Sequence, residues 1–146
     1  MKKPCKKIKL LALILVITAV VSAFTACIES PKGGGEITIR IGGDTYSLVT
    51  EKSTLGEALD ELTERENLRF ECRGIKSDRF IEELGSLKPS PNEYIAIYST
   101  SDDMLLSDML KPSITEDGVT YYYAGLGIDS FPALDGLIFY FTVKTM

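Results

Sequence analysis

The chain has 146 residues, enough for one ordinary domain, with 16 basic and 21 acidic side chains and a formal charge of −5. It has no histidine and no tryptophan, which excludes a Ser-His-Asp triad, a Cys-His dyad and any zinc site that needs imidazole. Its three cysteines are Cys5, Cys27 and Cys72, and only Cys72 falls within the region that reads as a folded domain, so no intradomain disulfide is available to it.

The amino terminus reads as a targeting segment. Lys2, Lys3, Lys6, Lys7 and Lys9 precede an apolar run from Leu10 to Val21, and small residues follow up to Cys27. That is the layout of a secretory signal peptide, assigned to residues 1–26. Phe24-Thr25-Ala26-Cys27 resembles a bacterial lipobox, in which lipid is attached to the cysteine and the chain is cut just before it. The expectation is lipidation at Cys27 and export to the extracytoplasmic face of a cell membrane. Cleavage after Ala23 and retention of the apolar run as an anchor are the alternatives. A diacylated cysteine supplies two acyl chains, which suffices for stable anchoring. Residues 1–26 hold five basic and no acidic side chains, so the remainder carries 11 basic and 21 acidic ones, a charge of −10. Such a surface repels phosphate backbones, and nucleic acid is excluded as a partner.

Residues 27–35 read as a glycine-rich tether, and the domain as residues 36–146. Ile37, Ile39 and Ile41 alternate with polar residues as a first strand, Gly42-Gly43-Asp44 turns the chain, and Tyr46 and Leu48 continue the alternation. Thr54-Leu55-Gly56-Glu57 is a capping box: the Thr54 hydroxyl accepts from the Glu57 amide and the Glu57 carboxylate reaches back to the Thr54 amide. Leu55, Ala58, Leu59 and Leu62 then form one helical stripe, with Asn67 as the stop. Leu68, Phe70 and Cys72 share one face of a third strand, where Cys72 reads as a small buried hydrophobe rather than a redox or nucleophilic thiol.

Residues 78–87 fit either a helical turn or a strand. Tyr94–Tyr98 reads as a central strand, and 99–111 as a polar loop. Asp117-Gly118 is a turn, Val119–Ala124 a tyrosine-rich strand, and Leu137–Val143, continuously apolar, a strand in a central position. The order of hairpin, one capped helix and further strands gives the expected fold class: α+β, β-grasp-like, a mixed sheet packed against one main α-helix.

Four stretches carry a family resemblance over roughly residues 36–144: Thr54 to Leu59, Phe80 to Leu87, Glu93 to Tyr98, and Gly127-Ile128-Asp129 with Leu134-Asp135-Gly136 before Phe139 and Phe141. In order and spacing they resemble the transcobalamin carboxy-terminal-like domain of bacterial surface proteins, many of them lipoproteins of unknown function. Ile95 and Ser99-Thr100 stand where many relatives have a tryptophan and an Asn-Gly turn. The resemblance implies a non-catalytic binding module, and, from the vertebrate carriers that give the domain its name, a cobalamin or other planar ligand.

The aromatic residues Tyr94, Tyr98, Tyr121, Tyr122, Tyr123, Phe139, Tyr140 and Phe141 serve either as core or as a stacking surface. Alternation separates Tyr121 and Tyr123 from Tyr122, and Phe139 and Phe141 from Tyr140. If a ligand is held, Tyr98 and Tyr122 are the expected contacts, each adjoining a loop on the side away from the helix. No metal site is expected: Asp102, Asp103 and Asp108 lack the spacing of a calcium loop and read as a solvated surface. No cofactor or catalytic residue is indicated. A surface protein bound at a strand edge or loop is the other partner class.

Overall fold

The structure, a computed structural model, describes residues 33–102 and 112–146. The targeting segment with Cys27, and Asp103 and Asp108, lie outside the described residues.

In chain order the elements are β1 (Gly35–Ile41), β2 (Asp44–Thr50), α1 (Leu55–Arg65), β3 (Phe70–Ile75), β4 (Asp78–Leu84), β5 (Glu93–Ser99), β6 (Ser113–Glu116), β7 (Val119–Ala124), a 3-10 turn (Ile128–Ser130) and β8 (Ile138–Thr145). Six strands form one mixed sheet in the order β2-β1-β8-β5-β7-β6, and β3 and β4 form a separate two-stranded ribbon. Only β1 and β8 run parallel. The fold is therefore mixed α and β and mostly sheet, with one helix among the described residues; the sheet, rather than the helix, is its main element.

The helix forms where the capping pattern predicts. Thr54 is its N-cap, and its hydroxyl accepts from the Glu57 amide at 3.3 Å. The reciprocal arm differs by one residue: the Glu57 carboxylate accepts from the Ser53 amide, at 3.3 Å. Asn67 takes a left-handed φ of 51° just past the helix end, a conformation that asparagine tolerates. Leu55, Ala58, Leu59 and Leu62 are fully buried against Ile37, Ile39, Ile41, Leu48, Phe139 and Phe141 of the sheet. Burial of each of the three leucines stabilises the fold by about 1.5–3 kcal/mol. The stretch left open between helix and strand is β4, bonded to β3 through a bulge at Glu71/Cys72.

Two expectations need correction. Gly34 and Gly35 are not free tether: the Gly34 amide bonds the Ala133 carbonyl at 2.7 Å, and Gly35 opens β1. A Cβ on Gly35 would lie 2.5 Å from that of Asp135, so glycine is required by close approach rather than by flexibility. The second is β6, a short strand absent from the sequence reading, which pairs with β7 around Asp117-Gly118.

The face of the sheet turned away from α1 carries its own cluster, Ala96, Tyr98 and Tyr121, flanked by Ile114, Val119, Tyr123, Ile138 and Tyr140. Across this face the long side chain of Arg40 spans from β1 to β7 and the turn before it. The Arg40 guanidinium of β1 donates to the Tyr121 hydroxyl at 3.0 Å and to Asp117 at 2.7 Å. It also lies 5.3 Å from the Tyr140 ring centre.

Candidate functional site

Strand register decides which tyrosines can meet a ligand. Tyr98 pairs with Tyr123 and Tyr140, whereas Tyr122 pairs with Ser99, itself opposite Phe139. Tyr98 thus points away from the helix and Tyr122 toward it, and the two residues expected to share a ligand lie on opposite faces of the sheet. Tyr98 is also only 7% exposed. Its ring stacks edge-on against Tyr123 at 5.5 Å and lies 6.5 Å from Tyr140. Burial, then the neighbouring Tyr94 and Tyr140, pushes its hydroxyl above the ordinary tyrosine range. Alternation separated the tyrosines correctly, but Tyr98 and Tyr122, chosen because each adjoins a loop, are not brought together on one face.

The exposed aromatic and aliphatic residues lie elsewhere. Tyr94, Phe80 and Leu126 are 37%, 47% and 38% exposed. They border a cleft of about 150 Å³ between the β3–β4 ribbon and β5, floored by Ile81, Ile95, Ile97 and Ala124. A second, more open cleft of about 430 Å³ continues from it, past Pro89, Pro91, Glu93 and Met146. Arg73, Ile81 and Tyr94 line both, so the two form one groove along β5. Four of the six large apolar side chains exposed among the described residues border this groove; such concentration is what distinguishes a binding surface from scattered apolar exposure.

One wall of the groove is fixed by an ion-pair cluster. Arg79 of β4 donates to both oxygens of Asp129, from Nη2 at 2.8 Å and Nε at 3.0 Å, and to Asp60 of α1 at 2.8 Å. These bonds raise the Arg79 pKa beyond its already high value and hold Asp129 below the usual carboxylate range. Sequence reasoning missed the cluster. Its one visible trace is Gly56 within the capping box: a Cβ there would run into Asp129 Oδ1 and lie 2.7 Å from Arg79 Nη2.

Cys72 is half-buried against the core. Burial pushes its thiol up to about 11, against a smaller lowering influence of Arg79. Thiolate is scarce there at neutral pH, which matches a packing role. A wider recess of about 830 Å³ lies between α1 and the end of β2, lined by Glu51, Glu57, Asp60, Glu61 and Glu64 with Lys52 and Lys76. Its carboxylates are partly engaged, Glu61 by Thr50 and Asp60 by Arg79. No group of three or more histidine, cysteine, aspartate or glutamate side chains among the described residues is placed to hold a metal ion. No helix among them is long and apolar enough to cross a membrane.

No family model matches the chain, and no curated protein matches it. Among solved structures it is similar to a candidate metal binding protein from Ruminococcus gnavus ATCC 29149, at 18% identity and a TM-score of 0.49, over 78% of this chain and 98% of that one.

Proposed function

We propose that this chain is an exported, lipid-anchored, non-catalytic binding module that engages a surface protein through the groove along β5. The observation that carries the reading is the gathering of Tyr94, Phe80 and Leu126 around a cleft of only about 150 Å³. Pockets for whole small molecules run to about 300–1,000 Å³; the groove reaches that size only through its wider, more open part of about 430 Å³, and the cleft that gathers the exposed apolar side chains, about 150 Å³, admits one side chain. The signal-peptide layout and Cys27 support export and anchoring. The absence of histidine and the raised thiol pKa of Cys72 favour a module without catalysis.

The strand order supports a β-grasp-like assignment: a β1–β2 hairpin, a helix crossing its face, and a last strand placed parallel to β1 in mid-sheet. The likeness in sequence to transcobalamin carboxy-terminal-like domains points the same way, and it keeps a corrinoid as the second reading. Burial of Tyr98 and the opposite facing of Tyr122 weigh against that second reading. Isothermal titration of the full chain, purified in detergent, with cyanocobalamin at micromolar concentrations tests the choice. No saturable heat is expected; saturable heat that Tyr98→Leu removes would restore the corrinoid.

A further inference from the structure

The edge of β5 is only partly used by the sheet. Its pairing with β8 runs from Glu93 to Ser99, but its pairing with β7 stops at Ile97 opposite Ala124. Among the described residues no strand pairs with residues 93–96 on that side. The Thr100 amide donates to the Ile138 carbonyl of β8 at 3.1 Å. In an antiparallel ladder, even-numbered residues here therefore turn their backbone groups toward β8 and odd-numbered ones away from it. Ser99 and Ile97 meet Tyr122 and Ala124. Ile95 is next, and its partner in a continued ladder would be Leu126, where the chain has already left the strand. The Glu93 amide is taken by the Ser90 carbonyl at 2.9 Å. Ile95 lines the cleft and, although only 7% of the residue is exposed, its N–H and C=O have no strand partner among the described residues on that side.

The charge around this point is also distinctive. Arg73 and Arg79 line the small cleft and no carboxylate does, in a chain of net charge −5. Arg79 is engaged by Asp129 and Asp60. Arg73 is not held in this way: its side chain is 78% exposed and its ion partner Glu82 is 3.7 Å distant.

We infer that β5 receives an extended peptide segment of a partner protein at Ile95. The segment pairs its backbone with the Ile95 N–H and C=O, lays an aliphatic side chain among Phe80, Ile81 and Leu126, and offers a carboxylate to Arg73. Backbone pairing supplies affinity that is indifferent to sequence, while the cleft and the arginine select the side chains. The inference rests on the groove being the binding surface, and the experiment separates the two.

The probe is the peptide acetyl-Thr-Val-Glu-Val-Thr-amide, with an analogue N-methylated at both valines, added to the nitrogen-15-labelled full chain in detergent. Residue-resolved amide exchange is followed by NMR. In the free chain the Ile95 amide should exchange at least about tenfold faster than those of Ala96 and Ile97, which the ladders hold. Millimolar peptide should slow Ile95 by about tenfold or more; the methylated analogue should not, and Arg73→Glu should abolish the slowing. An Ile95 amide already slow in the free chain, or unchanged by the peptide, overturns the pairing. If Tyr94, Phe80 and Leu126 signals still shift, the groove binds by another geometry and the functional reading stands. If none shifts, both fall.

Discussion

Arg79 and Asp129, fifty residues apart in the chain, meet in a two-bonded pair whose side chains are 15% and 7% exposed. The pair joins the β3–β4 ribbon to the 3-10 turn, and Asp60 extends it to α1. It ties the ribbon to these two elements and forms part of one wall of the groove. Removal of Asp129 leaves a largely buried guanidinium with one carboxylate instead of two. Asp129→Ala should cost about 3 kcal/mol, read from the shift in urea midpoint.

The same pair sets a pH dependence with a definite sign. Hydrogen bonds from Arg79 hold the Asp129 carboxyl below its ordinary value. A carboxylate depressed in the folded state contributes stability that is fully present above its unfolded pKa, about 3.9, and lost as pH falls through the folded value. Wild type should therefore lose stability more steeply than Asp129→Asn below about pH 4. Parallel acid unfolding curves for the two proteins would contradict this.

Gly56→Ala tests how tightly the cluster is packed. Alanine ordinarily favours a helix over glycine by about 1 kcal/mol. Here its Cβ would run into Asp129 Oδ1, and overpacking of this kind costs about 1–3 kcal/mol. The substitution should destabilise wild type more than an Asp129→Ala background, where only the Arg79 contact remains, a coupling that a double-mutant cycle of urea midpoints measures.

These three residues show what the sequence made legible. The capping box, the stripe from Leu55 to Leu62, the three isoleucines of β1 and the central place of β8 follow from local periodicity, and all are found as read except the reciprocal arm of the box, which goes to the Ser53 amide. Gly56 and Asp129 both sat within stretches that carried the family resemblance, but nothing local says that they touch. Gly56 read simply as part of a cap. The groove was hidden for a related reason. Tyr94, Phe80 and Leu126 are ordinary strand and loop residues, and their convergence depends on where β7 leaves β5. The tyrosine pair failed at register: one residue's step moves a side chain to the other face.

Helix α1 should answer to two substitutions with different magnitudes. Thr54→Ala removes the acceptor for the Glu57 amide and should cost about 1 kcal/mol. Leu59→Ala opens a cavity beneath a fully buried side chain and should cost about 2–5 kcal/mol. Denaturant midpoints of the two variants rank them directly.

Cys72 should behave as packing. With its thiol near 11, iodoacetamide should modify it slowly at pH 8, followed by mass spectrometry of the peptide that contains it, and the rate should keep rising to pH 10 and beyond. A rate that levels off below pH 9 would reveal an activated thiol.

The proposed anchoring places the lipid on Cys27. Wild type should partition into the detergent phase on cloud-point separation, and Cys27→Ser, with the signal peptide still removed, should move to the aqueous phase. Continued partitioning of the processed variant would assign the anchor elsewhere.

The claim at the centre of this account is that the groove along β5 is where a partner sits. A photo-crosslinking residue placed at Leu126 reports on the groove, and one at Val49, 72% exposed on β2 beside the acidic recess, reports on a surface outside it. On intact cells the Leu126 position should give a discrete protein adduct that Tyr94→Asp abolishes, with no matching adduct from Val49. The same adducts from both positions, or a Leu126 adduct indifferent to Tyr94→Asp, would contradict the claim.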